Sequence, residues 1–157
     1  MIQIKKCTLD DYEIIENLFK RLINEIIIKT TGDQSLFSLS DTREAFNQGL
    51  EQGIYSVFIA ITGGQTVGFI SMCESFSLYT DGRFGIIQEL YVLEDYRSMN
   101  VGGELLKFAV DYGQEKEWKR LEVCTPPIPE FERTLEFYKK NGFSITGGKK
   151  LKIMIGE

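Results

Sequence analysis

The chain has 157 residues, 43% of them hydrophobic and 26% charged, and carries a formal charge of −5. That length and balance predict one domain over residues 1–157 with a substantial buried core, and they exclude a disordered chain. The acidic charge argues against a nucleic-acid partner, which needs clustered Lys and Arg, and leans toward a cationic one.

Ile2 and Ile4 alternate with polar neighbours, the pattern of a short first strand. Thr8 stands three residues before Asp11, a capping-box-like helix start. Tyr12, Ile15, Leu18, Phe19, Leu22, Ile23 and Ile26 then follow helical spacing until KTTGD stops the run. GDQSLFSLS is expected to be a loop exposing Leu36, Phe37 and Leu39, and a second helix is expected from Asp41 to near Gly53. IYSVFIAI and TVGFISMCESF flank TGGQ and predict a β-hairpin, with Gly63 and Gly64 supplying the positive φ angles of a tight turn.

FGIIQELYV predicts a fourth strand, and Leu105, Leu106, Ala109, Val110 and Tyr112 mark a third helix. RLEVCT reads as a buried strand, PPIP breaks the chain, and a fourth helix is expected over 131–140 with Gly142 at its αL cap. FSIT and LKIMI predict a closing hairpin around Gly147 and Gly148. The order β-α-α-β-β-β-α-β-α-β-β predicts a mixed α/β (α+β) domain around one twisted sheet of about seven strands.

No apolar run reaches about 18 residues, so no membrane span is expected, and MIQIKKCTLDD is too short in apolar residues for a signal peptide. Cys7, Cys73 and Cys124 are odd in number, far apart and without metal-ligand spacing, so reduced thiols of a cytoplasmic protein and no metal are expected. Histidine is absent, which removes imidazole bases, Ser-His and Cys-His nucleophiles and His-ligated zinc. Catalysis must then draw on carboxylates, Tyr, Lys, Cys or backbone dipoles. Cys124 lacks an activating partner and is expected to be a buried, inert thiol. Trp118 is expected to pack in the core rather than line an acceptor pocket.

The stretch YVLEDYRSMNVGGELLKFAVDYG, residues 91–113, turns a strand directly into an amphipathic helix through Arg97, Asn100, Gly102 and Gly103. A helix beginning near Val101 or Gly102 leaves several N–H groups without partners, and its dipole adds about half a positive charge there. Asn100 can adopt αL at low cost, and glycines let a ligand approach the backbone. These features together make a phosphate cradle. Glu94, Asp95 and Glu104 outnumber Arg97 and Lys107, so backbone N–H groups would hold the anion with Arg97 as a charged clamp. A turn whose glycines serve only close packing fits the spacing equally well. The P-loop pattern is absent, and the dinucleotide fingerprint would need a third glycine.

The run Arg97-Ser98-Met99-Asn100-Val101-Gly102 resembles the acetyl-CoA-binding motif of the GNAT N-acetyltransferase superfamily, Gln/Arg-x-x-Gly-x-Gly/Ala, with Asn100 in place of the first glycine. ELYVLEDYR is similar to that family's fourth strand, and LEFYKKNGF to its later helix. The resemblance covers essentially the whole element order. It implies a mostly antiparallel sheet flanked by four helices, acetyl-CoA as co-substrate without a metal, and acetyl transfer to a primary amine of a small molecule or peptide. It also implies frequent homodimers.

By position, the backbone of Leu90, Tyr91 and Val92 would contact the pantetheine arm and acyl oxygen, and residues 97–103 the diphosphate. Tyr138 would face the sulfur as the acid, and Glu89 would be the base, with Glu74 in reserve. Strand alternation places Ile87, Glu89 and Tyr91 on one face, opposite Gln88 and Leu90. Glu89 as a salt-bridged structural carboxylate and Tyr138 as a packed aromatic are the competing readings. Phe131 stands seven residues before Tyr138, where the family often carries Asn. A non-catalytic acyl-CoA sensor on the same fold is the alternative function.

Overall fold

The computed structural model describes residues 1–32 and 41–156. Among them one five-stranded sheet runs in the order β1 (Gln3–Lys6), β2 (Tyr55–Thr62), β3 (Gln65–Ser77), β4 (Gly82–Val92) and β5 (Leu121–Val123). The first three pairings are antiparallel and the last is parallel. The helices are α1 (Tyr12–Thr31), α2 (Arg43–Glu51), α3 (Val101–Glu115) and α4 (Glu132–Lys140).

Alternation along β2 explains why both faces of the sheet are covered. Val57 and Ile59 point into one apolar layer with Tyr12, Ile15, Leu18 and Phe46 from α1 and α2. Phe58 and Ala60 point into the other, with Val101, Leu105 and Ala109 of α3 and Tyr138 of α4. Phe69 and Leu105 are fully buried, each contributing about 1.5–3 kcal/mol by removal from water.

Local signals behave as their chemistry requires. Thr8 and Asp11 form a reciprocal capping box, with the Thr8 N–H donating to Asp11 Oδ2 at 2.8 Å, although it opens a short 3₁₀ turn that leads into α1. Thr62 pairs with Gln65 across Gly63 (φ 58°) and Gly64 (φ 77°), the two-residue turn that the glycines predict. The second helix starts at Arg43 rather than Asp41, because the Asp41 carboxylate accepts from the Arg43 N–H at 2.9 Å and stays outside the helix. The expectation for Leu36, Phe37 and Leu39 lies outside the described residues.

The strand count corrects the sequence reading. Residues 143–146 and 151–155 form no strands, and the expected closing hairpin is absent among the described residues. Ile145, Leu151, Ile153 and Ile155 are exposed, so the alternating pattern there has no apolar surface to cover. A two-stranded hairpin without such a surface is marginal in water.

Two features of β4 position the site. First, the register shifts between Ser71 and Met72: Ser71 pairs with Glu89 and Met72 with Ile87, leaving Gln88 as an extra residue. Second, β4 pairs with β5 only from Gly85 to Ile87, so residues 88–92 have a ladder on the β3 side alone. The chain beyond β5 runs into Pro126 and Pro127, which have no N–H to extend the ladder.

Candidate active site

The bulge decides which way each β4 side chain faces. Ile87 packs in the α3/α4 layer, whereas Tyr91 packs in the α1/α2 layer. Simple alternation would have put both on one face with Glu89; the extra residue Gln88 breaks that count. Glu89 accordingly joins the Tyr91 side. Its Oε1 accepts from Tyr55 Oη at 2.5 Å and from Ser71 Oγ, and its own N–H donates to Ser71 Oγ at 3.0 Å. Glu89 has no ion pair among the described residues, so it is held by hydroxyls rather than by a cation.

Main-chain directions along the opened part of β4 follow from two bonds. The Glu89 N–H reaches Ser71 Oγ, and the Leu93 N–H reaches the Val67 carbonyl at 2.8 Å, so both face β3. Alternation turns the Tyr91 main chain toward β3 as well and turns those of Leu90 and Val92 toward the unpaired side. The structure therefore divides the three backbone candidates: Leu90 and Val92 face the opening, and Tyr91 does not. The Val92 carbonyl already accepts from Arg97 Nε at 2.9 Å.

The loop after β4 is a 3₁₀ turn, Glu94–Met99, ending at Asn100 in the αL conformation (φ 59°, ψ 26°). Asn100 thus takes the backbone geometry that a glycine would supply. The first α3 bond runs from the Glu104 N–H to the Asn100 carbonyl at 3.1 Å, so the Val101, Gly102 and Gly103 N–H groups precede the helical ladder. Ser98 and Met99 are exposed beside them.

The two glycines differ. A Cβ at Gly103 would collide with Asn100 Oδ1, so Gly103 makes room for that side chain at the helix entrance. A Cβ at Gly102 would come within 2.9 Å of Phe137 Cζ, so Gly102 lets α3 approach α4.

Arg97 is not a free clamp. Its Nη2 pairs with Glu25 Oε1 at 2.8 Å, and its guanidinium lies 5.3 Å from the Tyr91 ring centroid. These contacts tie the loop to α1.

Tyr138 sits in the α3/α4 layer with Val101 and Leu105, and Leu90 and Val92 pack against the same cluster. Its ring meets Phe137 and Phe143 edge-on at 5.3 and 5.4 Å. Burial pushes its phenol well above the usual tyrosine range. Phe131 is buried at the start of α4, with Lys29 Nζ 5.1 Å from its ring centroid. Glu74 accepts from Trp118 Nε1 at 2.7 Å, and Trp118 packs against Gly85, Gly113 and Tyr112. Trp118 is therefore a packing residue, as expected. Cys124 is exposed, not buried, because it lies just past the end of the β5 ladder.

Reasoning from the sequence missed Tyr55 and Ser71 as partners of Glu89. The available signal was Ser71, a hydroxyl inside the otherwise apolar run GFISM.

A family model described as an acetyltransferase (GNAT) domain matches residues 53–145. The chain belongs to the GNAT family. Among its relatives is an uncharacterized N-acetyltransferase of Archaeoglobus fulgidus, 31% identical over 85 residues, covering 53% of this chain and 57% of that protein. The uncharacterized N-acetyltransferase YhfO of Bacillus subtilis is 32% identical over 101 residues, covering 64% and 66%. The chain thus spans less than two thirds of the length of each of these relatives. The GNAT fold extends across nearly the whole chain. An aminoglycoside acetyltransferase from an uncultured soil metagenomic sample, solved with trehalose, superposes with TM-score 0.77 at 18% identity over 99% of this chain and 97% of that one. A Clostridium acetobutylicum protein described as a predicted acetyltransferase, solved with acetyl-CoA, gives TM-score 0.77 at 19% identity over 98% and 96%.

Proposed function

We propose that this protein transfers the acetyl group of acetyl-CoA to a primary amine of a small molecule or peptide by direct attack, as a cytoplasmic enzyme without a metal. The observation that carries this reading is the opening of β4 from β5 beyond Ile87, with Leu90, Val92 and Tyr138 on one side and Glu89 on the other. The Val101, Gly102 and Gly103 N–H groups fit the diphosphate: they lack helical partners, sit at the positive end of α3, and follow an αL residue that opens the turn.

The amine lone pair attacks the thioester carbonyl carbon and an N–C bond forms. The C–S bond breaks, its electron pair goes to sulfur, and the amine gives up a proton toward Glu89 or a water beside it. A main-chain N–H at the opening, that of Leu90, is the oxyanion donor, a contact worth about 3 kcal/mol in rate in a dry cleft. Tyr138 serves the leaving sulfur. With its phenol raised by burial, it gives the thiolate a hydrogen bond and keeps its proton.

A panel of spermidine, lysine, a lysine-containing peptide and an alkylamine, with detection of released CoA, tests the reading. Thiol release with at least one member is expected. Tight CoA binding with no release from any member would make the chain an acyl-CoA-binding module instead.

A further inference from the structure

We propose that Tyr55 and Ser71 are positioning residues that clamp one oxygen of Glu89 and so aim its second oxygen at the acceptor amine; this rests on the transferase reading above. The clamp spans three strands. Tyr55 opens β2, Ser71 lies in the middle of β3 opposite Glu89, and Glu89 follows the β4 bulge. Both hydroxyls donate to the same atom, Oε1, while Ser71 also accepts from the Glu89 N–H. Ser71 thereby closes a ring through the Glu89 main chain and side chain, fixing the carboxylate plane against the backbone. Glu89 Oε2 takes no hydrogen bond or ion pair from the described residues. One oxygen is consumed by the fold and the other is left for chemistry.

Three further features show that the clamp is built rather than incidental. Ser71 is fully buried, and its hydroxyl has no role in the apolar layers around it. Gly49 of α2 is required for Tyr55: a Cβ there would come within 2.9 Å of Tyr55 Cβ, so the helix leaves space for the ring to lie across the sheet. The bulge supplies the third, since without Gln88 as an extra residue Glu89 would face the α3/α4 layer, away from both hydroxyls.

A carboxylate that must take a proton from an amine, or bind it as ammonium, gains most from being held in one orientation. The positioning role makes a prediction that a packing role does not. Removing the Tyr55 hydroxyl should matter only while Glu89 can use it.

The test compares wild type, Tyr55→Phe, Ser71→Ala, Glu89→Gln and the double variant Tyr55→Phe/Glu89→Gln, using the best acceptor of the amine panel. The readouts are kcat, the KM for acetyl-CoA and the thermal midpoint. Tyr55→Phe is expected to lower kcat 10- to 100-fold with the KM for acetyl-CoA changed less than threefold and the midpoint nearly constant. In the Glu89→Gln background the same change should lower kcat less than threefold. Ser71→Ala serves as the second variant and should show the same kcat-against-KM split.

An equal loss from Tyr55→Phe in both backgrounds would overturn the clamp, as would unchanged kcat in Tyr55→Phe and Ser71→Ala while Glu89→Gln is impaired. Full kcat in Glu89→Gln would overturn the assignment of Glu89 itself, and the clamp with it. No turnover of any amine by the wild type would overturn the transferase reading and both roles together.

Discussion

Asn100 shows how one residue can depart from a family pattern and keep its geometry. At φ 59° it occupies a region that β-branched side chains enter only at a cost of about 1–3 kcal/mol. Asn100→Gly should therefore leave stability within about 0.5 kcal/mol and the Kd for acetyl-CoA within threefold. Asn100→Val should lose about 1–3 kcal/mol in denaturant unfolding and bind acetyl-CoA at least tenfold more weakly; equal effects of the two substitutions would sink the αL account. Gly102 is the poorer probe of the cradle. A side chain there strikes Phe137, so a bulky replacement disturbs the α3–α4 contact along with the ligand.

Cys7 makes a separate prediction at this scale. Burial, reinforced by Asp11, pushes its thiol from 9.0 up to about 12. The folded value lies above the unfolded one, so this contribution to stability is intact below pH 9 and is lost as pH rises toward 12. Cys7→Ala should flatten the fall in unfolding free energy across that window. At pH 8.5, iodoacetamide should modify the exposed Cys124 and spare Cys7.

Among the elements, β4 carries most of the residues of the proposed site. Its bulge separates Ile87 from Glu89 and Tyr91, and its short ladder with β5 leaves the main chains of Leu90 and Val92 without a strand partner on that side. The sequence pattern of β4 made the strand legible, since GIIQELYV has strand composition. The bulge was not legible, because a one-residue slip is set by pairing with β3 and leaves no mark on β4 itself. The loop after it was partly legible: the αL residue and the helix start lay where the Asn and Gly residues indicated. The engagement of Arg97 was not, because Glu25 is 72 residues away.

That ion pair is testable. Both side chains are partly exposed, so Arg97→Ala and Glu25→Gln should each cost about 0.2–1 kcal/mol of stability. Each should weaken acetyl-CoA binding by a similar few-fold factor through the loop. A loss of thirtyfold or more for Arg97→Ala alone, with Glu25→Gln unaffected, would show that the guanidinium touches phosphate directly.

Over the whole molecule, the sheet works as a partition. The α3/α4 layer holds the phenol of Tyr138 and the cradle at the start of α3, while the α1/α2 layer holds Glu89 and its hydroxyl partners. Under the proposed reaction, the proton acceptor Glu89 and the leaving-group partner Tyr138 lie on opposite faces, and the edge of β4 left without a β5 ladder beyond Ile87 is where both would meet one substrate carbon. Element order and core faces were readable from periodicity, because apolar alternation on β2 and helical spacing on α1 and α3 record burial directly. The closing hairpin was misread for the same reason: residues 151–155 alternate, but the structure offers them no surface to cover.

A crystal structure with acetyl-CoA bound tests whether the start of α3 holds the diphosphate. Diphosphate oxygens are expected within about 2.7–3.2 Å of the Val101, Gly102 and Gly103 nitrogens, with the thioester beside Leu90. Acetyl-CoA bound elsewhere, or a diphosphate with no contact to the start of α3, would contradict it.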